Sequence, residues 1–258
     1  MNITILTLFP EMFAGFQTNS IMKRALGKGV ATINVVNIRD YTKDKYGRTD
    51  TPPVGGGAGL IEKCQPIVDA LNANKKDDSH VILMSPRGAT YDEKKAKDYS
   101  CLEDLVIICG HYEGIDERVN AYVDELVSIG DYVLTGGEIP AMAIADSVIR
   151  LLDGAIASES LSDESFNDDL LEYPQYTEPF DYEGQTVPEI LYSGNHVAIE
   201  KWRRKQSLLL TRKHRPDLFN KLTLSKQDKK LLQEADEGIT PNWEKDAIEK
   251  GKKFMHKK

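Results

Sequence analysis

Three glycine-containing loops in the middle of the chain have residue types suited to holding a small ligand. They span residues 85–88, 109–114 and 129–138, and each follows a short apolar run. In open parallel sheets, ligands bind at the carboxyl ends of the strands, where glycine lets backbone groups approach closely. The loops match neither G-x-G-x-x-G nor G-x-x-x-x-G-K-[ST]. They therefore predict a pocket that holds its ligand through main-chain hydrogen bonds without cradling a phosphate; the alternative is that the glycines only make tight turns.

Two charged features could act beside such a pocket. Arg150 ends an apolar helical stretch and lies four residues after Asp146. Either the two form an ordinary i,i+4 pair, or Arg150 leaves a buried helix to face a ligand, because an unpaired buried arginine is costly. Four carboxylates follow within residues 163–169. They are either part of a solvated linker or the source of one acid that folding or a partner delivers into a pocket.

A glycine-rich segment over residues 55–59 follows Arg48-Thr49-Asp50. Glycine-rich loops of this length often act as mobile lids over active sites. A plain surface loop is the simpler interpretation, and the sequence alone favours it.

A basic segment over residues 193–215 carries seven Lys or Arg and one acid, with Trp202 among the cations. One interpretation is a helix whose basic face follows a nucleic-acid backbone. The other is a core tryptophan beside a basic side that is merely solvated. The distribution of charge favours nucleic acid, since residues 1–195 have a net charge of −16 whereas residues 196–258 have a net charge of +8.

Apolar runs that alternate with helical patterns must position these groups. Strands are predicted at 2–9, 31–38, 80–84, 105–109 and 126–129, and helices at 20–27, 64–74, 92–99, 115–122, 138–152, 196–212, 216–221 and 226–237. Continuous apolar strands between helices are typical of a parallel sheet covered on both faces. We therefore predict an α/β domain over 1–158, an acidic linker over 159–172, a small all-α domain over 173–245 and a basic tail over 246–258.

Length and composition exclude several classes of protein. The 258 residues are 40% hydrophobic and 29% charged, as in ordinary globular proteins, and no stretch reaches the roughly 18 apolar residues of a membrane span. Three cysteines without a C-x-x-C pair argue against a disulfide framework or a zinc site and for a reducing, cytoplasmic location. We predict no metal site and no membrane partner.

Several longer motifs make the chain resemble a known family. These are residues 109–118 (CGHYEGIDER), residues 128–142, and residues 191–196 followed by Trp202-Arg203, in this order. On these motifs the chain resembles the bacterial tRNA (guanine-N1-)-methyltransferases of the TrmD family, in the SPOUT class, over nearly its full length. The resemblance implies a deep trefoil knot in the α/β domain, a homodimer whose active sites use both chains, and S-adenosylmethionine as methyl donor.

The resemblance also implies which residues bind the two substrates. The donor site would be formed by Ser85, Pro86, Gly110, Tyr112, Glu113, Gly114, Ile129, Gly130, Asp131, Tyr132, Val133, Leu134, Gly136, Gly137 and Pro140. The acceptor would be tRNA, and no DNA, methylated at N1 of the guanosine 3′-adjacent to the anticodon (position 37). Its contacts would come from Asp50, Arg150, Asn195, His196, Trp202 and Arg203.

The chemistry that the family implies needs a base and a cation. A carboxylate near guanine N1 can remove its proton as general base, and an arginine can stabilise the negative charge that builds on O6. The arginine corresponds to Arg150. The family's base is an Asp directly before Ser-Phe, where this chain has Glu164 with Asp163 one residue earlier. We predict Glu164 or Asp163 as the base, with Asp168 as a weaker candidate; the sequence leaves open whether Mg²⁺ takes part.

Two other functions are compatible with the same residues. A tRNA-binding protein that has lost catalysis would keep both the donor pocket and the basic helix. A small-molecule α/β enzyme with a helical appendage would show no salt-dependent binding to tRNA. An assay with labelled donor and unmodified tRNA distinguishes all three.

Overall fold

The computed structural model describes residues 1–157, 165, 166 and 169–255, with the backbone alone for residues 253–255. The chain divides into two compact units, with the boundary between residues 161 and 162. The three predicted base candidates, Asp163, Glu164 and Asp168, lie outside the described residues, as do parts of the predicted linker and the last three residues of the predicted tail.

A five-stranded parallel sheet forms the centre of the first unit. The strands of this unit are β1 (Asn2–Thr7), β2 (Thr32–Asn37), β3 (Asp50–Thr51), β4 (Ile61–Glu62), β5 (His80–Thr90), β6 (Asp104–Ile108) and β7 (Glu125–Ser128). The large sheet has the order β2-β1-β6-β5-β7, and β3 pairs with β4 in an antiparallel ladder of its own. The prediction of an α/β fold with a parallel sheet is confirmed.

Both faces of this sheet are buried, which explains why its strands are continuous apolar runs. In β6, Leu105 and Ile107 face one hydrophobic cluster whereas Val106 and Ile108 face the other. The helices of the unit are α1 (Ala14–Thr18), α2 (Ser20–Gly27), α3 (Cys64–Asn74), α4 (Glu93–Ser100) and α5 (Glu138–Ile149). Residues of α2, α4 and α5 belong to the first cluster and residues of α3 to the second.

Two predicted helices of this unit differ from the observed ones. The segment predicted as a helix over 115–122 is a 3-10 helix over Glu117–Tyr122. Helix α5 ends at Ile149, and it buries one face on the sheet through residues such as Ile144 and Val148 while Ile139 stays 50% exposed. Because only one face reaches the sheet, a helix that looks apolar all round keeps an uncovered apolar side.

The sequence predicts that this strand ends at Met84, but β5 continues to Thr90 and contains the first glycine loop. Met84 and Ala89 both pair with Val127, so residues 85–88 leave the ladder and the chain then returns to it. A Cβ atom at Gly88 would collide with the backbone of β7. Glycine therefore allows the strand to close up again beside β7 after the excursion.

The second unit is mainly helical. It contains a hairpin of β8 (Asp181–Tyr182) and β9 (Gln185–Thr186), then α6 (His196–His214), α7 (Pro216–Phe219), α8 (Lys226–Asp236) and α9 (Asn242–Met255). The Asn195 side chain caps α6 by accepting a hydrogen bond from the Ala198 N–H group, 3.3 Å away. The hairpin means that this unit is not purely α-helical.

Helix α9 extends across residues 245 and 246, the predicted boundary between the all-α domain and the basic tail. Ala247 is buried in a cluster with Ile190, Ala198 and Trp202, so this part of the predicted tail packs into the unit. The apolar positions Trp243, Ala247 and Ile248 have helical spacing, and this was the signal for a further helix.

The described part of the chain has no membrane-spanning helix, no disulfide bond and no cluster of metal ligands. Within it, no helix combines the length and apolar character needed to cross a bilayer. The three cysteines, all of which are described, are free thiols. No three His, Cys, Asp or Glu side chains among these residues are grouped in a way that could hold a metal ion.

Candidate functional site

The three glycine loops meet in one pocket of about 460 Å³. It lies at the carboxyl ends of β6 and β7 and beside the excursion in β5. Of the residues predicted to hold a donor, those that line the pocket are Ser85, Pro86, Gly110, Tyr112, Glu113, Gly114, Ile129, Gly130, Tyr132, Val133, Leu134, Gly136, Gly137 and Pro140. Asp131 belongs to the same loop but is not part of the lining.

The lining also includes residues that sequence reasoning did not single out. Among them are Arg87, His111, Glu117 and Asn120. Arg87 and His111 stand inside the predicted loops, so their place was available from the sequence. Glu117 and Asn120 belong to the 3-10 helix, and only its packing beside the loops brings them to the pocket.

Backbone contacts between the second and third loops form the floor of the pocket. The Gly137 N–H group donates to the Gly110 carbonyl oxygen at 2.8 Å, and His111 forms an isolated bridge with Gly136. A Cβ atom at Gly137 would lie 2.8 Å from the Cys109 Cα atom. Glycine is therefore required here so that the start of α5 can lie against the end of β6.

Tyr112 adopts a backbone conformation that side chains seldom take. Its φ angle is +57°, in the left-handed region, which costs a non-glycine residue roughly 1 kcal/mol or more. Such a conformation persists only where neighbouring contacts impose it. The loop over 109–114 is therefore held in shape by the segments around it.

The glycine-rich segment over 55–59 contacts one wall of this loop. The Glu113 side chain lies directly over Gly59, where a Cβ atom would collide with it. Just after the glycines, the Leu60 carbonyl oxygen accepts a hydrogen bond from the Glu113 N–H group at 3.1 Å. The Glu62 N–H group donates to the Gly114 carbonyl oxygen at 3.0 Å. This segment thus touches the wall of the pocket, beyond the role of a plain surface loop.

Two buried carboxyl groups lie behind the pocket wall. Glu138 accepts a hydrogen bond from the Thr7 hydroxyl at 2.8 Å, and its other oxygen lies 3.6 Å from His111 Nδ1. Glu62 is fully buried and accepts a hydrogen bond from the His111 backbone N–H group. Burial, reinforced by the negative charge of Glu138, outweighs that hydrogen bond and raises the pKa of Glu62 to about 8.

Polar side chains at the rim are paired with one another. Arg87 forms an ion pair with Glu117 at 2.9 Å, and the Asn120 amide donates to the same carboxylate at 2.7 Å. The Arg87 and Glu117 side chains are largely exposed. Because both side chains are exposed, water screens this ion pair.

Asp50 and Arg150 do not line this pocket. Asp50 lies in β3 opposite Glu62 and is half-buried. Arg150 caps the carboxyl end of α5, where its N–H group donates to the Asp146 carbonyl oxygen at 3.0 Å, and it is also half-buried. Within one chain, neither of these two predicted tRNA contacts is part of the lining of the pocket.

In the second unit, Trp202 is buried. Its side chain is 5% exposed and packs with Ile190, Ala198 and Ala247. Trp202 is therefore a core residue beside helix α9, which favours the core interpretation of this tryptophan over a contact with tRNA. His196, at the start of α6, is exposed.

Several cations of α6 contact acidic or aromatic side chains within the unit. Arg204 pairs with Asp228 at 2.9 Å and Arg212 with Asp236 at 2.6 Å. The Arg203 guanidinium lies 4.6 Å from the ring centre of Tyr173. These pairs tie α6 to its neighbours, and the sequence could not reveal them because the partners lie more than twenty residues away.

Comparison with known proteins gives a consistent result over most of the chain. The family model described as tRNA (Guanine-1)-methyltransferase TrmD matches residues 1–221. A tRNA (guanine-N(1)-)-methyltransferase of Clostridium botulinum (strain Hall) is 52% identical over 236 residues, which are 91% of this chain and 98% of that protein. A protein of the same name from Clostridium perfringens (strain 13) is 54% identical over 90% of this chain and 99% of its own length.

Proposed function

Because the chain belongs to the TrmD family of tRNA (guanine-1)-methyltransferases, we propose that it transfers a methyl group from S-adenosylmethionine to N1 of guanosine 37 of tRNA. The observation that carries the proposal is the meeting of three strand-end loops in one pocket. The pocket is of the size that small-molecule sites usually have, roughly 300–1,000 Å³. We place the enzyme in the cytoplasm.

The residues present fit the proposed donor. The walls consist largely of glycine and apolar residues, which offer main-chain donors and acceptors for an adenosine moiety, and Glu113 and Tyr112 add polar groups. When bound, S-adenosylmethionine supplies an electrophilic methyl group on a cationic sulfur. The loops over 85–88, 109–114 and 129–137 would hold the donor and exclude water from the face where the acceptor enters.

The chemistry at the acceptor rests on one acid and one arginine. Guanine N1 carries a proton at neutral pH and becomes nucleophilic when a base removes it, and we assign that base to Glu164 or Asp163. Arg150 would stabilise the negative charge that develops on O6. Positioning of the two reactants supplies much of the remaining acceleration.

A homodimer would bring these groups to the pocket. At the pocket and next to it, the third loop and α5 expose apolar side chains, with Tyr132 at 54%, Val133 at 84% and Ile139 at 50%. Apolar patches of this kind mark interaction surfaces. We propose that a second copy covers them and that each active site takes residues from both chains, since Arg150 does not line the pocket of its own chain. The deep trefoil knot of the first unit belongs to the same proposal.

We further assign tRNA binding to the second unit. Asn195, His196 and Arg203 remain the candidates there, with Asp50 and Arg150 of the first unit close to the reacting base. The net charge of +8 over residues 196–258 supports this assignment, since phosphate contacts dominate affinity for nucleic acids. Internal ion pairs reduce the part of this charge that is available.

Methyl transfer in vitro tests the proposal. Purified enzyme, labelled S-adenosylmethionine and unmodified tRNA are expected to give N1-methylguanosine at position 37, and a tRNA with adenosine at that position is expected to give none. Binding of tRNA without turnover would favour a protein that has lost catalysis, and absence of salt-dependent binding would favour a small-molecule enzyme. The same assay with EDTA in place of Mg²⁺ decides whether the metal takes part.

Substitutions in the connecting segment identify the base. Glu164→Ala, Asp163→Ala and Asp168→Ala are compared in single-turnover assays, with Glu159→Ala as the matched control in the same acidic segment. Loss of the general base is expected to slow methyl transfer about 100-fold or more. If none of the three variants slows it strongly, the base lies elsewhere.

A further inference from the structure

We propose that Glu62 is a positioning residue of the donor pocket: its buried carboxyl group holds the loop over 109–114 in the conformation that lines the pocket. This inference rests on the proposed function for its effect on donor binding, but not for its effect on the loop. Glu62 itself is not among the residues that line the pocket. It acts through the backbone of the residues that do.

Three hydrogen bonds connect Glu62 to the loop over 109–114 and to the residues just after it. The Glu62 carboxyl group accepts the His111 N–H group. On either side of it, the Glu62 N–H group donates to the Gly114 carbonyl oxygen at 3.0 Å, and the Asp116 N–H group donates to the Glu62 carbonyl oxygen at 2.9 Å. One residue therefore binds the loop at three points, at its start, at its end and just beyond.

The loop over 109–114 has a backbone conformation that is unfavourable by itself. Tyr112 lies between His111 and Gly114, and its φ angle of +57° is unfavourable for a tyrosine. The loop needs an external restraint to keep this conformation. The His111 N–H group is the point nearest to Tyr112, and the Glu62 side chain is its acceptor.

The burial of the Glu62 carboxyl group also points to a role at the pocket. Glu62 is fully buried, and its second oxygen has no hydrogen-bond partner among the described residues. A buried carboxyl group without a cation beside it is costly, so a residue of this kind at a pocket wall calls for an explanation. The loop it binds supplies one.

The protonation state of Glu62 should affect how well its carboxyl group restrains the loop over 109–114. The charged or titratable groups around it come from several elements, and they are Asp50 of β3, Arg39 of the turn after β2, Cys109 and His111 of the loop, and Glu138 of α5. Burial and the negative charge of Glu138 raise the pKa of Glu62 to about 8, so the side chain is mostly a neutral acid near pH 7. Ionisation at higher pH would place an uncompensated charge behind the loop.

Two substitutions separate the restraint from the charge. Glu62→Ala removes the acceptor, whereas Glu62→Gln keeps an oxygen for the His111 N–H group and resembles the neutral acid at every pH. Glu103→Ala and Glu103→Gln are matched controls, because Glu103 is exposed and lies at the other end of β6. Each protein is examined as the full chain.

Hydrogen exchange without any ligand tests the restraint. In Glu62→Ala, amides of residues 109–116 are expected to exchange about tenfold faster than in the unsubstituted protein, and in Glu62→Gln within about threefold of it near pH 7. The Glu103 variants are expected to leave this loop unchanged. A Glu62→Ala variant that folds and protects the loop normally would overturn the proposal.

Calorimetric titration with S-adenosylmethionine tests the consequence for binding. The dissociation constant is expected to rise about tenfold in Glu62→Ala. Between about pH 7 and pH 9 it is expected to rise severalfold for the unsubstituted protein and to stay flat for Glu62→Gln. Identical pH profiles for these two proteins would overturn the proposal, and this comparison remains decisive where Glu62→Ala does not fold.

The two experiments also distinguish this inference from the proposed function. If the unsubstituted protein binds no S-adenosylmethionine, the proposed donor is wrong, and the exchange experiment still decides whether Glu62 restrains the loop. If the donor binds and exchange is unaffected by Glu62→Ala, the proposed function stands and the role of Glu62 falls.

Discussion

Acidic side chains at the amino ends of the strands of the parallel sheet (the amino edge) and beside their carboxyl ends (the carboxyl edge) are held in opposite ways. At the amino edge, Glu125 accepts hydrogen bonds from Lys95 at 2.8 Å, Tyr99 at 2.7 Å and His80 at 2.9 Å. Burial alone would raise the pKa of Glu125, but these bonds outweigh it and lower the pKa to about 2. At the carboxyl edge, Glu62 is buried with a backbone N–H group as its partner, and its pKa is raised to about 8.

The difference shows how one sheet combines stability with a binding site. At the amino edge, a second acid, Asp104, is also matched by a cation, since Lys76 lies 2.9 Å from it. At the carboxyl edge, Glu138 is matched by the Thr7 hydroxyl, with His111 Nδ1 at 3.6 Å. Hydrogen bonds from cations favour the charged form of an acid in the folded state, whereas a buried acid without a cation is costly there.

The largest effect is expected where a paired acid is removed from the amino edge. Glu125→Ala leaves Lys95, Tyr99 and His80 without their acceptor, and it should lower the free energy of unfolding by about 3 kcal/mol. Denaturant unfolding measures this. Glu103→Ala, an exposed acid close to the same edge, should change it by less than about 0.5 kcal/mol. Equal effects of the two substitutions would mean that the paired cluster has no special role.

The two edges should also respond to pH with opposite signs. The folded pKa of Glu125 lies below its unfolded value of about 4.3, so its contribution is present above about pH 5 and is lost as the pH falls toward 2. Allowing for solvent screening, that contribution is about 2 kcal/mol. The folded pKa of Glu62 lies above its unfolded value, so stability is lost as the pH rises toward 8.

Thermal unfolding of Glu125→Gln and Glu62→Gln across pH measures these two contributions. At neutral pH, Glu125→Gln should be less stable than the unsubstituted protein, and this difference in stability should disappear as the pH falls toward 2. As the pH rises from about 5 to 9, Glu62→Gln should become more stable relative to the unsubstituted protein. Stability curves that run parallel to that of the unsubstituted protein would show that neither pKa is shifted as described.

A smaller effect is expected from filling the space under the pocket. In Gly137→Ala, the new Cβ atom would lie 2.8 Å from Cys109 Cα and 3.0 Å from the Gly110 nitrogen. The φ angle of −82° suits alanine, so lack of space alone should cost about 1.5 kcal/mol of stability and weaken donor binding about tenfold. Unfolding and calorimetry measure the two. Gly15→Ala, with no atom within 4 Å of its Cβ, is the control.

The smallest effect is expected at the exposed rim. The Arg87–Glu117 ion pair joins side chains that are 61% and 70% exposed. Arg87→Ala should change the free energy of unfolding by less than about 0.5 kcal/mol, because water screens such a pair. If Arg87→Ala lowered the free energy of unfolding as much as Glu125→Ala, the exposed pair would be as stabilising as the half-buried cluster around Glu125, contrary to the comparison above.

Much of the fold was predictable because periodicity reports burial. Residues 105–109 read as a strand buried on both faces, and β6 has that position. The loop glycines were predictable as a group because each follows such a strand. The excursion inside β5 was not, because the return of Ala89 to Val127 depends on the neighbouring strand.

The roles of charged residues were the least predictable part. The sequence places Arg204 and Arg212 on a basic stretch, but their partners Asp228 and Asp236 belong to another helix. Trp202 stands among cations and is nevertheless a core residue, since α9 covers it. Local sequence gives the charge of a side chain and not what faces it.

By itself, the sequence determined that this chain is an α/β protein whose central strands are followed by glycine loops. The alternation of strands with helices and the positions of the glycines depend only on neighbours along the chain. Only the tertiary structure decided that Glu62 lies beneath the His111 loop and that Glu125 meets three donors. Those contacts join residues dozens of positions apart, and the environment that sets the charge of a buried acid exists only after the chain has folded.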